Sequence, residues 1–263
     1  MVESIEELKK ICLENRYDKI HRQPWASKHI NRHISIRFTK LCLILGLSAN
    51  QATLISLLLG ITAGIFFVRP QPLYWFIGLL ILYMALIFDC VDGEIARYRK
   101  QSSMEGKYFD VIVMYFMYPY ILACMSLGLY SIIQGSEIFI VGFFSVIGMS
   151  LVFVHKPLAY SIRYEQKLPF TAPKSVSGKQ YGIIHQAYKL AGAILVIPAL
   201  KFIPQFLLAT ILDCFVEPFH IAGFTLNIRF LYLVIFTLGT IASVIFRYYA
   251  VRRFGIDVSV GVA

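Results

Sequence analysis

The sequence predicts an all-α integral membrane protein with six transmembrane helices, preceded by a basic amphipathic helix in a membrane interface. Composition is the first reason: 58% of the 263 residues are hydrophobic and only 15% are charged, with a mean hydropathy of +0.67. Soluble domains carry about 25% charged residues. This balance excludes a disordered chain and argues against a soluble globular enzyme.

The second reason is a series of six apolar segments, since a helix needs about 20 mostly apolar residues to cross a bilayer core. The proline-rich break RPQP separates the first segment from the second, and the polar stretch QGSE separates the third from the fourth. Because proline cannot continue a helix, the first break ends a span. The predicted spans cover 51–68, 72–96, 108–133, 138–162, 184–211 and 226–250.

The third reason is the distribution of Lys and Arg. Residues 1–49 hold nine of them, the 97–107 turn and the 163–182 loop hold four each, and the C-terminal end from Arg247 onwards holds three. By the positive-inside rule, both termini, the turn and the loop are cytoplasmic, in a plasma or inner membrane. An even number of spans, such as six, also places both termini on the same side of the membrane. The net charge of +10 therefore predicts contact with anionic lipid headgroups and no nucleic-acid partner.

Before the first span, residues 27–47 combine Lys, Arg and His with apolar residues at helical spacing, namely Ile30, Ile34, Phe38 and Leu41. This pattern is typical of a helix that lies in the cytoplasmic membrane interface, and a solvated linker helix is the alternative. The sequence therefore divides into a cytoplasmic N-terminal segment (1–49), a six-helix transmembrane domain (50–250) and a cytoplasmic tail (251–263).

Three aspartates lie at the cytoplasmic ends of the second and third predicted spans, in the stretch FDCVDGEIARYRKQSSMEGKYFD. An ionisable group inside a spanning helix costs roughly 2.5–3.5 kcal/mol on insertion scales, so its presence indicates function. The 97–107 turn returns Asp110 to the membrane depth of Asp89 and Asp92. Three converging carboxylates repel one another unless a cation lies between them, and all-oxygen ligation suits Mg²⁺, Mn²⁺ or Ca²⁺.

Small residues and one arginine accompany these carboxylates. Gly93 and Ala96 lie on the helix face of the first two aspartates, and Gly106 lies at the start of the third span. The guanidinium of Arg97 can form two parallel hydrogen bonds to a phosphate. The pattern predicts a phosphate ligand bound with a divalent cation. The alternative is that these charges merely end two helices.

The pattern DxxDGxxAR-x8-GxxxD resembles the signature of the CDP-alcohol phosphotransferase (CDP-alcohol phosphatidyltransferase) family, and it is long and specific. SANQAT is similar to the family's PNxxT entry to the first span, although Ala49 replaces the usual proline. YSIRYE, late in the fourth predicted span, resembles the end of the family's fourth helix. The signature residues are Asp89, Asp92, Gly93, Ala96, Arg97, Gly106 and Asp110.

The resemblance implies a six-helix fold, often dimeric, with a polar cavity open to the cytoplasm. It implies transfer of a substituted phosphate from a CDP-alcohol, of the CDP-diacylglycerol or CDP-inositol type, to an acceptor alcohol that can itself be phosphorylated, with release of CMP. NRHISIRFTK and the QSS of the 97–107 turn are similar to the branch that makes inositol-phosphate-linked products. Also implied are Mg²⁺ or Mn²⁺ on the three aspartates and a nucleotide on Asn50, Asp92, Gly93, Ala96, Arg97 and Gly106.

At one position the chain departs from the family pattern, because the fourth aspartate expected after Asp110 is Met114. In the family this residue is taken as the general base for the acceptor hydroxyl, and losing a base typically costs about 10²–10⁴-fold in rate. Three possibilities stay open. The acceptor needs little deprotonation; another group serves as base, with Glu105, Tyr115 and His155 as candidates; or the chain is a catalytically impaired CDP- or lipid-binding paralogue or variant.

Three basic residues near the ends of the fourth and sixth spans, Lys156, Arg163 and Arg247, are candidates for an acceptor or phosphate pocket. Basic side chains near helix ends also extend to the interface, which is the alternative explanation. A transporter is a further alternative for six spans with buried acids. Transporter sites usually lie near the bilayer midplane, whereas these acids cluster towards one face, which favours a transferase.

Overall fold

The computed structural model describes residues 3–13, 30–101, 103–165, 199–221 and 224–254. Helices dominate these ranges, and two short strands form an antiparallel hairpin in which Phe219 pairs with Leu226. In chain order the elements are α1 (Ile5–Leu13), α2 (Arg32–Ile44), α3 (Ala49–Phe67), α4 (Pro72–Tyr98), α5 (Met104–Ile133), α6 (Glu137–Glu165), α7 (Ala199–Asp213), β1 (Phe219–Ile221), β2 (Phe224–Leu226) and α8 (Ile228–Phe254).

Among the residues that the structure describes, five helices are long and apolar enough to cross a membrane: α3, α4, α5, α6 and α8. They confirm an integral membrane protein and five of the predicted spans, whose ends differ from the observed ones by a few residues. The predicted span 184–211 lies largely outside the described residues, which include its end only in the shorter helix α7. The count of six spans therefore stays a prediction.

Helix α3 packs extensively against α4, and α5 packs against α3 on another side. At one end of this group the rings of Phe67 and Trp75 meet edge to face, with centroids 5.5 Å apart. A Cβ atom at Gly128 of α5 would lie 2.0 Å from the carbonyl oxygen of Phe67. Only glycine permits this approach, so Gly128 sets the separation of α3 and α5 at this end of the helices.

Helices α1 and α2 pack against the C-terminal half of α4, where Leu8, Ile36 and Ile95 are fully buried in a second apolar cluster. Helix α2 lies within the predicted amphipathic segment, but the predicted apolar face is not its most buried face. Ile30 and Leu41 are 43% and 50% exposed. These exposed side chains give the segment an apolar surface, and its position in a membrane interface stays a prediction.

A buried ion pair joins α7 to α8. Arg229 Nε donates to Asp213 Oδ2 at 2.7 Å, and the Asn227 side chain donates to the same carboxylate at 2.9 Å. The guanidinium of Arg229 lies 4.7 Å from the ring centroid of Trp75 in α4. Neither this pair nor the β-hairpin that lies between its two members is predictable from the apolar pattern of the sequence. Together they fasten the last helix to the centre of the protein.

Replacing Asp213 with alanine leaves Arg229 as a buried charge without its carboxylate, which costs about 3–5 kcal/mol in other buried pairs. We expect Asp213→Ala to lower the apparent melting temperature of the detergent-solubilised protein, measured by thermal unfolding. Glu217→Ala is the matched control, because Glu217 is an exposed acidic residue of the same connection. Equal melting temperatures for Asp213→Ala and the wild type would contradict a stabilising role for the pair.

Candidate functional site

A cavity of about 330 Å³ lies among α2, α3, α4 and α5, around the C-terminal turns of α4. Residues from four helices and from the turn between α4 and α5 form its walls. The structure therefore brings together most of the site residues predicted from the sequence, whose roles stay predictions. Those that line the cavity are Asn50, Asp89, Asp92, Gly93, Ala96, Arg97, Gly106 and Asp110.

Two capped helix starts form one wall of the cavity. Ser48 Oγ accepts a hydrogen bond from Gln51 N at 3.2 Å, and the Gln51 side chain accepts one from Ser48 N at 2.8 Å. This capping box begins α3 and places Asn50 in its first turn. Ser103 Oγ accepts a hydrogen bond from Gly106 N at 3.0 Å and begins α5. A Cβ atom at Gly106 would lie 3.3 Å from Asn50 Oδ1, so glycine allows the two helix starts to lie close together.

The three aspartates have different partners. Thr53 Oγ1 donates to Asp92 Oδ2 at 2.6 Å, which holds this carboxylate against α3. The carboxyl groups of Asp89 on α4 and Asp110 on α5 lie within hydrogen-bonding reach of each other. Two carboxylates this close are stable together only when a proton or a cation lies between them. The Asp89–Asp110 pair is therefore the part of the cavity that most needs a positive charge.

This donor set fits a hard divalent cation, since carboxylate oxygens from two helices meet in one polar cavity. In the part of the chain that the structure describes, no three His, Cys, Asp or Glu side chains are already gathered about a single metal position. Asp92 is engaged by Thr53 instead. Asp89 and Asp110 supply the adjacent pair of candidate ligands, and Asp92 lines the same cavity as the third.

Arg97 lines the cavity and is held by the N-terminal helix α1. Its Nε donates to the backbone carbonyl of Cys12 at 2.8 Å, and its guanidinium lies beside Gly93. The Cys12 thiol in turn donates to the backbone carbonyl of Glu94 at 3.5 Å. Burial raises the pKa of this thiol to about 11, so the thiol remains a protonated donor at neutral pH. Helix α1 thus fixes the turn of α4 from which Arg97 projects.

Glu94 is fully buried and was not among the predicted site residues. Three side chains of α2 donate to its carboxylate: Arg32 Nη1 at 3.0 Å, Ser35 Oγ at 2.7 Å and Thr39 Oγ1 at 2.7 Å. Glu94, Arg32, Ser35 and Thr39 together form the Glu94 cluster. A signal for it exists in the sequence, because Arg32, Ser35 and Thr39 recur at helical spacing on one face of α2. The apolar stripe that begins at Ile30 in the same segment predicts that a different face is buried.

Met114 lies one helical turn beyond Asp110, but it is not among the residues that line the cavity. Its side chain is partly buried and packs against the apolar core of the helix bundle. Of the alternative bases, Glu105 is exposed, and Tyr115 packs against the ring of Phe153 with centroids 5.9 Å apart. Neither of these two lines the cavity.

Basic residues of the site fall into two groups. Arg32 and Lys107 line the cavity, although neither is among the site residues predicted from the sequence. Lys156 and Arg163 lie on α6, and Arg247 lies on α8. The side chains of these last three, like that of His155, lie outside the described residues. The acceptor or phosphate pocket that they would form stays a prediction.

Replacing Glu94 with glutamine removes the negative charge that Arg32 pairs with, while the size of the side chain is kept. Hydrogen bonds to charged groups contribute about 1.5–3 kcal/mol, so we expect Glu94→Gln to loosen α2 and lower the melting temperature. Limited proteolysis should then cleave faster on the N-terminal side of α3. Glu105→Gln, at an exposed position of α5, is the control. If Glu94→Gln behaves like the wild type in both assays, the cluster does not hold α2 in place.

Comparison with known proteins shows which family the chain belongs to. Residues 47–212, more than half of the chain, match the family model described as CDP-alcohol phosphatidyltransferase. A protein of Thermococcus kodakarensis (strain ATCC BAA-918 / JCM 12380 / KOD1), named bifunctional IPC transferase and DIPP synthase, is 37% identical over 90 residues. That alignment covers 34% of this chain and 19% of the relative, so the chain matches about a fifth of the relative's length. The resemblance carried by the signature motif is thereby confirmed, and the chain belongs to the CDP-alcohol phosphatidyltransferase family.

Proposed function

We propose that this protein is a membrane transferase that moves a substituted phosphate group from a CDP-alcohol to an acceptor alcohol and releases CMP. The acceptor oxygen forms a bond to the phosphorus that carries the donor's alcohol, and the bond between that phosphorus and the CMP oxygen breaks. CMP leaves with the bonding electron pair, and the acceptor hydroxyl loses its proton. The products belong to the synthesis of phospholipids or related phosphodiesters.

One observation carries this proposal: in a member of this family, acidic side chains from α4 and α5 and the guanidinium of Arg97 line a single cavity. A nucleoside diphosphate is anionic, so it requires positive charge at its phosphates. Arg97 supplies part of that charge directly. Gly93, Ala96 and Gly106 contribute little side-chain bulk to the cavity wall, which leaves room for a nucleotide beside Asn50.

The proposal includes Mg²⁺ or Mn²⁺, which Asp89, Asp92 and Asp110 would hold. When bound, such an ion neutralises charge on the phosphate oxygens and orients the leaving group. Two features of the chain favour binding of such an ion. The carboxyl groups of Asp89 and Asp110 lie close together, and Thr53 donates a hydrogen bond to Asp92 on the neighbouring wall of the cavity.

We propose the donor and the acceptor from the resemblance of this chain to related proteins. The relative from Thermococcus kodakarensis is named an IPC transferase and DIPP synthase, and the N-terminal segment resembles the branch that makes inositol-phosphate-linked products. CDP-inositol and CDP-diacylglycerol are therefore the donors to compare first, each with free and phosphorylated alcohols as acceptors. Lys156, Arg163 and Arg247, which lie on α6 and α8, are the residues that we propose for binding a phosphorylated acceptor.

In the membrane, we place both termini and the cavity on the cytoplasmic side, because the basic connections flank the same ends of the spanning helices. Asp89, Asp92 and Arg97 occupy the end of α4 that enters the basic 97–107 turn, which supports this placement. A homodimer, implied by the family resemblance, belongs to the same proposal.

A catalytically impaired binding protein is the second candidate, and Met114 is the observation that favours it. A methionine packed against the apolar core cannot take the proton from an acceptor hydroxyl. A binding protein would still hold CDP in the cavity, so binding and turnover must be measured separately. A phosphorylated acceptor favours the transferase, because its own phosphate oxygens can accept the proton.

Replacing Asp89 with asparagine keeps the side-chain shape but removes one of the two adjacent carboxylate charges. We expect Asp89→Asn to abolish Mg²⁺-dependent binding of CDP, measured by isothermal titration calorimetry on the solubilised protein with and without EDTA. Glu105→Gln serves as the control, because Glu105 is exposed and does not line the cavity. Full Mg²⁺-dependent affinity in Asp89→Asn would remove the support for metal binding by this pair.

The wild type should release CMP from CDP-diacylglycerol or CDP-inositol when Mg²⁺ and a matching acceptor are present. Because Met114 packs against the core and does not line the cavity, we expect Met114→Asp to lower stability and not to raise the rate. Met114→Leu, which keeps an apolar side chain, should retain both stability and activity. CMP release by Met114→Asp alone would instead support the catalytically impaired alternative.

A further inference from the structure

Arg32 contributes to the cavity from outside the part of the chain that matches the family. The family match begins at residue 47, whereas Arg32 is the first residue of α2 and lines the cavity together with the aspartates of α4 and α5. Its side chain is only 11% exposed. A long basic side chain that is nearly buried beside a polar cavity requires partners for its donors.

The hydrogen bonds of Arg32 are incomplete. Nη1 donates to Glu94 Oε1 at 3.0 Å, whereas Nε is buried and has no hydrogen-bond partner among the described residues. The guanidinium is also close enough to Asp89 for their opposite charges to attract each other. Glu94 thus binds one edge of the Arg32 guanidinium, while the positive charge of the guanidinium also acts on Asp89 in the cavity.

The balance of charge in the cavity depends on Arg32. Its lining contains three acidic side chains, Asp89, Asp92 and Asp110, and three basic ones, Arg32, Arg97 and Lys107. Glu94 lies behind this lining and is already paired with Arg32. Without Arg32 the four carboxylates would be opposed by Arg97 and Lys107 alone, so an anionic ligand would be repelled before any cation entered. With Arg32 present, less negative charge remains for a divalent cation to offset.

We propose that Arg32 is a ligand-binding residue of this cavity, that it pairs with the phosphate groups of a nucleoside diphosphate, and that the Glu94 cluster is the arrangement that positions it. The inference rests on the proposed function, because it assumes that the cavity binds such a nucleotide. It adds a binding residue that the signature motif does not contain. It also makes the N-terminal segment part of the binding site.

The experiment measures the affinity of the full-length solubilised protein for CDP in Mg²⁺, together with the melting temperature without ligand. Arg32→Gln should weaken CDP binding about 10- to 100-fold, the range expected for a lost charge-assisted hydrogen bond. Arg32→Lys, which keeps the charge, should bind with intermediate affinity. Arg37→Gln is the matched control, because Arg37 is an exposed arginine of the same helix, and it should bind CDP like the wild type.

A second variant separates ligand binding from mere attachment of α2. Tyr83→Phe removes the hydrogen bond that Tyr83 of α4 donates to Asn31, the residue before α2, at 2.9 Å. It loosens the start of α2 but leaves Arg32 and the Glu94 cluster intact, so it should lower the melting temperature while CDP affinity stays close to that of the wild type. Unchanged affinity in Arg32→Gln, or an equal loss in Tyr83→Phe, would overturn the inference. Absence of CDP binding in the wild type would instead count against the proposed function itself.

Discussion

A carboxylate in a membrane-spanning helix needs a partner, and this requirement organises the protein around α4. That helix carries Asp89, Asp92 and Glu94 within six residues. Asp89 meets a carboxyl group of α5, Asp92 accepts a hydrogen bond from α3, and Glu94 accepts three from α2. Because the three side chains have partners on three different helices, their positions fix which helices surround the end of α4.

Residues 89–94 of α4 therefore contain two kinds of carboxylate. Glu94 has its full set of donors within the protein, so it serves the fold. Asp89 and Asp110 have mainly each other as polar partners, so they are the carboxylates that we propose for a cation. Arg97 combines both roles, since its Nε is fixed by the carbonyl of Cys12 while its guanidinium lines the cavity. Groups that serve the fold and groups that line the cavity therefore alternate along the same two turns.

Local patterns in the sequence predicted the spans and the contents of one cavity wall. Hydrophobic length located the five spanning helices, and spacing along α4 placed Asp89, Asp92 and Gly93 together. The partners from other helices were not predictable in the same way. Thr53 is 39 residues from Asp92, and Arg32 is 62 residues from Glu94. Spacing within a helix shows which residues share a face, but it does not show what that face meets.

The apolar stripe of α2 illustrates the same limit. An apolar stripe predicts which face of a helix is buried, yet the buried face of α2 combines polar donors to Glu94 with apolar residues such as Ile36. Met114 is the converse case. Its spacing from Asp110 predicts the cavity, but an apolar side chain gains more free energy against the core, where it packs.

The order of the Glu94 cluster along the chain has a consequence for biogenesis. Helix α2, whose 13 residues are too few to span a bilayer, is synthesised before α4. The hydroxyl and guanidinium donors therefore exist before the nascent chain delivers Glu94. Because an unpaired carboxylate is unfavourable inside a bilayer, we expect α2 to dock as α4 inserts, so that the helix made first receives the charge of the helix made later.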